Sequence, residues 1–148
     1  MEAEVYPKPE VIRVIDDHFV PLKIHIKEQP QQFQRFGATW TPTQLLLDAN
    51  GREQFRIEGF LPADDLIAQL ELGLARIDFE SKRYPEAERW FHEVEERHPA
   101  AGAAPEARYW EGVAAYKLSQ DASHLKKTAL DLTRRYPESE WTRRASVW

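Results

Sequence analysis

Val20, Leu22, Ile24 and Ile26 alternate with Pro21, Lys23, His25 and Lys27. That two-residue period predicts a strand with one wet face, and Pro21 near its start places it close to a sheet edge. Ahead of it, Pro9 suits the first turn of a helix whose apolar side is Val11, Ile12, Val14 and Ile15. Pro30 opens a second, short helix, with Phe33 and Phe36 on its inner side and Gly37 placed to cap its end. Leu45, Leu46 and Leu47 form a continuous apolar run, the mark of a strand covered on both faces. Asp48-Ala49-Asn50-Gly51 is a turn signal, and beyond it Phe55 and Ile57 alternate with Gln54, Arg56 and Glu58. These last two strands are expected to form an antiparallel hairpin.

From Leu61 onward the period changes to that of helices. Pro62, Asp64 and Asp65 suit a helix N-terminus, and Leu66, Leu70, Leu74 and Ile77 continue an apolar stripe at spacings of four and three. A repeat follows. Ala75 and Phe79 match Gly112 and Tyr116 at an offset of 37, and Ala87, Phe91, Val94 and Arg97-His98-Pro99 match Leu125, Ala129, Leu132 and Arg135-Tyr136-Pro137 at an offset of 38. The small residues Ala75 and Gly112 allow paired helices to approach closely, with Phe79 and Tyr116 between them. Ala100–Ala104 reads as a short linker inside the array, and Ser139 as the cap of a last helix carrying Trp141, Ala145 and Trp148.

Composition narrows the function classes. With 148 residues, 42% of them hydrophobic and 30% charged, the chain has the make-up of a soluble globular protein. A net charge of -5 argues against nucleic acid, which needs a clustered basic surface. No apolar run approaches the roughly 20 residues that cross a bilayer, and the start Met1-Glu2-Ala3-Glu4 is acidic where a secretory signal is basic. A cytoplasmic protein is expected. There is no cysteine. That removes disulfides, thiolate nucleophiles and thiol metal ligands from the chain as it stands.

Phe36-Gly37, Thr41-Pro42-Thr43, Leu45-Leu46-Leu47-Asp48, Asn50-Gly51, Ile57-Glu58-Gly59-Phe60 and Leu61-Pro62 together resemble the C-terminal two-thirds of thioredoxin-like domains. The resemblance implies a cis Thr41–Pro42 bond in a loop that meets substrate chains. Trp40 stands where the family more often has Gly; it either covers the substrate groove or fills a gap left by absent residues. Met1-Glu2-Ala3-Glu4-Val5-Tyr6-Pro7 is similar to the stretch that follows the CxxC motif in a bacterial branch of the family. On that alignment the first strand, first helix, central strand and CxxC turn are missing. An internal start codon and a shortened, redox-inactive descendant both account for this. Without the central strand, the strands at Val20–Ile26 and Thr43–Asp48 must pair directly, leave a gap, or recruit a strand from another molecule. Tyr84-Pro85-Glu86-Ala87 and the prolines closing each repeat resemble tetratricopeptide-like helix pairs.

The fold expected is therefore an α/β module with an incomplete thioredoxin-like sheet (residues 1–78), followed by all-α tetratricopeptide-like helix pairs (residues 79–148). No phosphate-cradling glycine loop, GxSxG elbow or HExxH pair occurs, and His92, His98 and His124 lack the close helical pairing of metal ligands. No catalytic, metal or cofactor residue is assigned. Glu86, Glu88, Glu93, Glu95 and Glu96 read as a solvated helix face, with a site for a basic peptide as the alternative. Most of Trp90, Phe91, Tyr109, Trp110 and Tyr116 read as inter-helix core, with a ligand groove as the alternative. Candidate protein-binding residues are Trp40, Thr41, Pro42, Trp141 and Trp148. The expected function is protein contact without redox chemistry, with a protein or peptide partner and a homodimer; the alternatives are the C-terminal portion of a thiol-disulfide oxidoreductase whose CxxC lies upstream, and a structural dimerisation module.

Overall fold

Proline stands in the first turn of four helices, where its missing N–H leaves no hydrogen bond unmade and its fixed φ is already helical. In a computed structural model describing residues 1–148, seven helices and a two-stranded sheet follow one another. They are α1 (Pro9–His18), α2 (Pro30–Arg35), β1 (Thr43–Leu47), β2 (Glu53–Glu58), α3 (Ala63–Glu80), α4 (Tyr84–Arg97), α5 (Ala104–Ser119), α6 (Ser123–Arg135) and α7 (Glu140–Ala145). The chain divides into two units, Met1–Ile67 and Ala68–Trp148, and α3 runs across the division.

In the first unit β1 and β2 pair antiparallel, with Gln44 opposite Ile57 and Leu46 opposite Phe55, and a bulge between Leu46 and Leu47. The turn that joins them is built on one carboxylate. Asp48 Oδ1 accepts from the backbone N–H groups of Asn50 (2.8 Å) and Arg52 (2.9 Å), while Gly51 takes a φ of +74° that a side chain would resist. The Arg52 amide first, and then the Asn50 amide, hold the Asp48 carboxyl below its ordinary value. Val5, Val11, Leu46, Ile57, Ala63, Leu66 and Ile67 are the buried apolar residues of this unit.

The expected strand at Val20–Ile26 does not form. The sheet has two strands only, and residues 20–24 make no backbone–backbone hydrogen bond. Val20 and Leu22 are 98% and 80% exposed, so the alternating pattern is present without the partner edge that would bury its apolar side. The direct pairing of this segment with β1 is likewise absent. Of the three leucines in β1, Leu46 alone is fully buried and Leu47 is exposed, so the strand is not covered on both faces.

In the second unit α4 packs on α5, α5 on α6, and α7 on both α5 and α6. Phe91, Val94, Ala107, Ala114, Thr128 and Leu132 fill the interfaces, all of them buried. At Gly112 α5 and α6 leave no room for a side chain: a Cβ there would lie 2.7 Å from Thr128 Cβ and 2.8 Å from its Cγ2, inside any carbon–carbon contact distance. Lys82 and Gln120, the residues just past α3 and α5, both turn left-handed, with φ of 61° and 59°. The segment read as a short linker is the connection between α4 and α5, with Ala100 and Gly102 exposed, Ala103 buried, and Ala104 already the first residue of α5. Ser139 caps α7, its hydroxyl accepting from Trp141 N at 3.1 Å.

Candidate functional site

Trp40, Thr41 and Pro42 form one short loop between α2 and β1, held at both ends. Thr43 Oγ1 donates to Trp40 O (2.8 Å), and Gly59 N donates to Pro42 O (2.8 Å), which ties the loop to the far end of β2. The Thr41–Pro42 bond is cis. Trp40 is 67% exposed, so it fills no gap within the chain. These two hydrogen bonds hold the backbone of the loop, and the Trp40 indole stands on it as a large apolar surface left in water. Beside the loop, Gln44 Nε2 donates to Tyr6 Oη at 2.6 Å and lies 3.5 Å from Met1 Sδ. The stretch Met1–Tyr6 therefore lies against the middle of β1.

Trp141 and Trp148 lie in the second unit and meet on α5. Trp148 stacks on Tyr109 with ring centroids 4.5 Å apart, and Trp141 meets the same ring at 5.1 Å. Trp110 continues the row, 6.4 Å from Trp141 and 5.1 Å from Phe79, with the Arg76 guanidinium 4.0 Å over its face. Both terminal tryptophans are half-buried, so each leaves part of its ring at the surface. Arg144, 4.5 Å over Trp141, covers one side.

Several polar residues central to this unit read as surface in the sequence. Glu95 is only 2% exposed and pairs with Arg135 at 2.7 Å, which removes it from the solvated acidic face. Glu71 is buried on α3 and meets Arg97 at 3.0 Å and His98 at 3.4 Å. Burial pushes both carboxyls above their ordinary range, opposed by the nearby arginines. Arg108 on α5 joins Glu111 (2.6 Å) and Asp131 on α6 (2.7 Å), and His92 on α4 reaches Glu111 at 3.1 Å. Helical spacing held the signal: Glu95 lies four residues beyond Phe91, and Glu71 four beyond Ile67, each in line with a buried stripe. Between the loop before α5 and the loop before α7 runs an open groove of about 420 Å³, lined by Pro99, Pro105, Arg135, Tyr136 and Pro137 among others.

His92 and His98 thus serve different carboxylates, and no group of three or more His, Cys, Asp or Glu side chains is arranged to hold a metal ion. The chain contains no cysteine, and no helix is long and apolar enough to cross a membrane. Comparison with curated proteins and with solved structures finds no match. A family model, described as a thioredoxin-like domain, matches residues 1–74. That span covers α1, α2, the β1–β2 hairpin, the Trp40–Pro42 loop and the first part of α3. On that match, half the length of the chain, the protein belongs to the thioredoxin-like domain family.

Proposed function

We propose that this chain is a redox-inactive thioredoxin-like protein that works by holding another protein or peptide, with the Trp40-Thr41-Pro42 loop as its contact. The observation that carries this reading is a water-exposed indole on a loop whose backbone is pinned at both ends, in a chain with no thiol. Thiol exchange begins with attack by a thiolate, so contact without turnover is the chemistry this loop can offer. On the same reading the second unit is a tetratricopeptide-like array. The 38-residue offset between repeats supports it, since Lys82 and Gln120 repeat the same left-handed corner at that offset. The half-buried Trp141 and Trp148 then offer a second contact surface.

The test uses the whole chain against a library of extended peptides, with binding read by Trp fluorescence and calorimetry. Peptides that bind are expected to lose roughly tenfold or more in affinity with Trp40→Ala, as for a central aromatic anchor. An insulin-reduction assay run alongside is expected to show no protein-dependent turnover. Peptide binding that is indifferent to Trp40→Ala, or measurable reductase activity from the pure chain, overturns the reading.

A further inference from the structure

We infer that the free edge of β1 takes a strand from a second copy of this chain, and that the strand is residues 20–26 of that copy. β1 is paired along one side by β2 and along the other by no strand, the Met1–Tyr6 stretch meeting it through the Gln44 side chain. The sheet's two outer edges differ in kind. β2 carries Glu53, Arg56 and Glu58, the charges that discourage further pairing, whereas Thr43-Gln44-Leu45-Leu46-Leu47 carries none. An uncharged strand edge is a template for another strand.

The same chain supplies what the template lacks. Residues 20–24 run without helix, turn or backbone hydrogen bond, and display Val20 and Leu22 to water. Successive N–H groups of an extended segment point to opposite edges. Pro21 removes a donor from one edge only, so the edge that carries the Leu22, Ile24 and Ile26 amides is complete.

The two patterns also match in cross-section. On β1 and β2, Gln44, Leu46, Phe55 and Ile57 share the face where Leu46 and Ile57 are buried; Thr43, Leu45, Arg56 and Glu58 share the other. In this segment, whose Lys23 is ion-paired with Glu2 near the N-terminus and would exchange that partner on docking, Leu22 and Ile24 share one face, and Lys23, His25 and Lys27 the other. Because Gly59 N donates to Pro42 O, the β1 groups on the open edge are those of Thr43, Leu45 and Leu47, and a parallel strand with Lys23 opposite Leu45 meets them with its Leu22, Ile24 and Ile26 edge; Leu22 and Ile24 then lie level with Gln44 and Leu46. The lysines then fall on the face of Glu58. One alignment satisfies the backbone, the apolar side and the charge together. Since each copy has both an open edge and a free strand, the exchange is reciprocal and closes as a two-fold dimer.

This inference does not rest on peptide binding at Trp40: a chain that dimerises and binds no peptide upholds the one and refutes the other. Because the chain has no cysteine, introduced thiols report cleanly. Single variants Lys23→Cys and Leu45→Cys, mixed and oxidised, are expected to give a mixed disulfide dimer well above either homodisulfide. Light scattering over a dilution series of the parent chain is expected to show a dimer at tens of micromolar. Leu22→Lys, at a side chain that is already exposed, is expected to weaken that dimer roughly tenfold or more while leaving the circular dichroism spectrum of the monomer unchanged. A strict monomer at every concentration overturns the inference, and so does a dimer that gives no mixed disulfide. A disulfide that forms within the Lys23→Cys/Leu45→Cys double variant, independent of concentration, places the segment on its own sheet and also overturns it.

Discussion

Adding one carbon at Gly112 tests the packing of α5 on α6. In the middle of a helix, Gly→Ala ordinarily stabilises by about 1 kcal/mol, because glycine forfeits more backbone entropy than alanine on folding. Here the added Cβ would meet Thr128 Cβ at 2.7 Å and Cγ2 at 2.8 Å, and would run into Oγ1 as well. These atoms sit at the root of a fully buried side chain on α6, so no flexible end can swing away. The two helices must part by several tenths of an ångström along their shared face. Overpacking of this kind costs about 1–3 kcal/mol. Set against the propensity gain, Gly112→Ala is expected to lose up to about 2 kcal/mol net. Thr128→Ala in the same chain should restore part of that loss, since Oγ1 and Cγ2 disappear and Cβ remains. Urea unfolding followed by intrinsic fluorescence reports on the right unit, because Trp90, Trp110, Trp141 and Trp148 all lie within it. Gly102, with nothing within 4 Å of its would-be Cβ, is the matched control and should tolerate alanine. A Gly112→Ala chain more stable than the parent, showing the propensity gain undiminished, refutes the close approach of α5 and α6.

Burial holds the Glu71, Glu95 and Glu106 carboxyls above their ordinary range. The folded state therefore keeps protons that the unfolded state releases, so this contribution to stability falls as pH rises from the usual carboxylate pKa of about 4.3 through the raised values. Glu95→Gln is expected to gain on the parent over that interval; urea midpoints at a series of pH values check it, and a difference constant with pH contradicts it. Trp148→Ala removes the 4.5 Å stack on Tyr109, and a loss of about 1 kcal/mol beyond the buried area is expected in the same unfolding assay. An unchanged midpoint would mean that the C-terminal indole contributes nothing to the second unit.

The β1–β2 hairpin was legible because Asp48, Asn50 and Gly51 act on their own neighbours: a carboxylate caps two amides and a glycine takes positive φ, whatever the rest of the chain does. The helix starts at Pro9, Pro30 and Ser139 were legible for the same reason. What the pattern at residues 20–26 could not convey is whether an edge exists to receive it, since pairing depends on a distant segment and alternation records only a capacity to pair. Glu95 was misread for a different reason. It sits among acidic neighbours that do face water, and only its register with Ala87 and Phe91 marks it as buried. At the loop, the Thr41-Pro42-Thr43 motif was recognisable by family likeness, whereas the exposure of Trp40 depends on what lies around it in space.

Lys82 and Gln120 occupy corresponding corners, each bending the chain out of a long helix through a conformation that costs most residues about 1–2 kcal/mol. Neither is the glycine or asparagine that such a corner favours. The bend is therefore imposed by the helices on either side and is not granted by the residue at its apex. A corner dictated from outside leaves its own side chain unselected for shape, so a lysine and a glutamine serve equally. These two sites hold unspent stability: glycine at either one relieves the left-handed strain, at Gln120 against the loss of its Nε2 hydrogen bond to Lys117 O (3.1 Å). They are the natural places to begin if a sturdier version of the second unit is wanted.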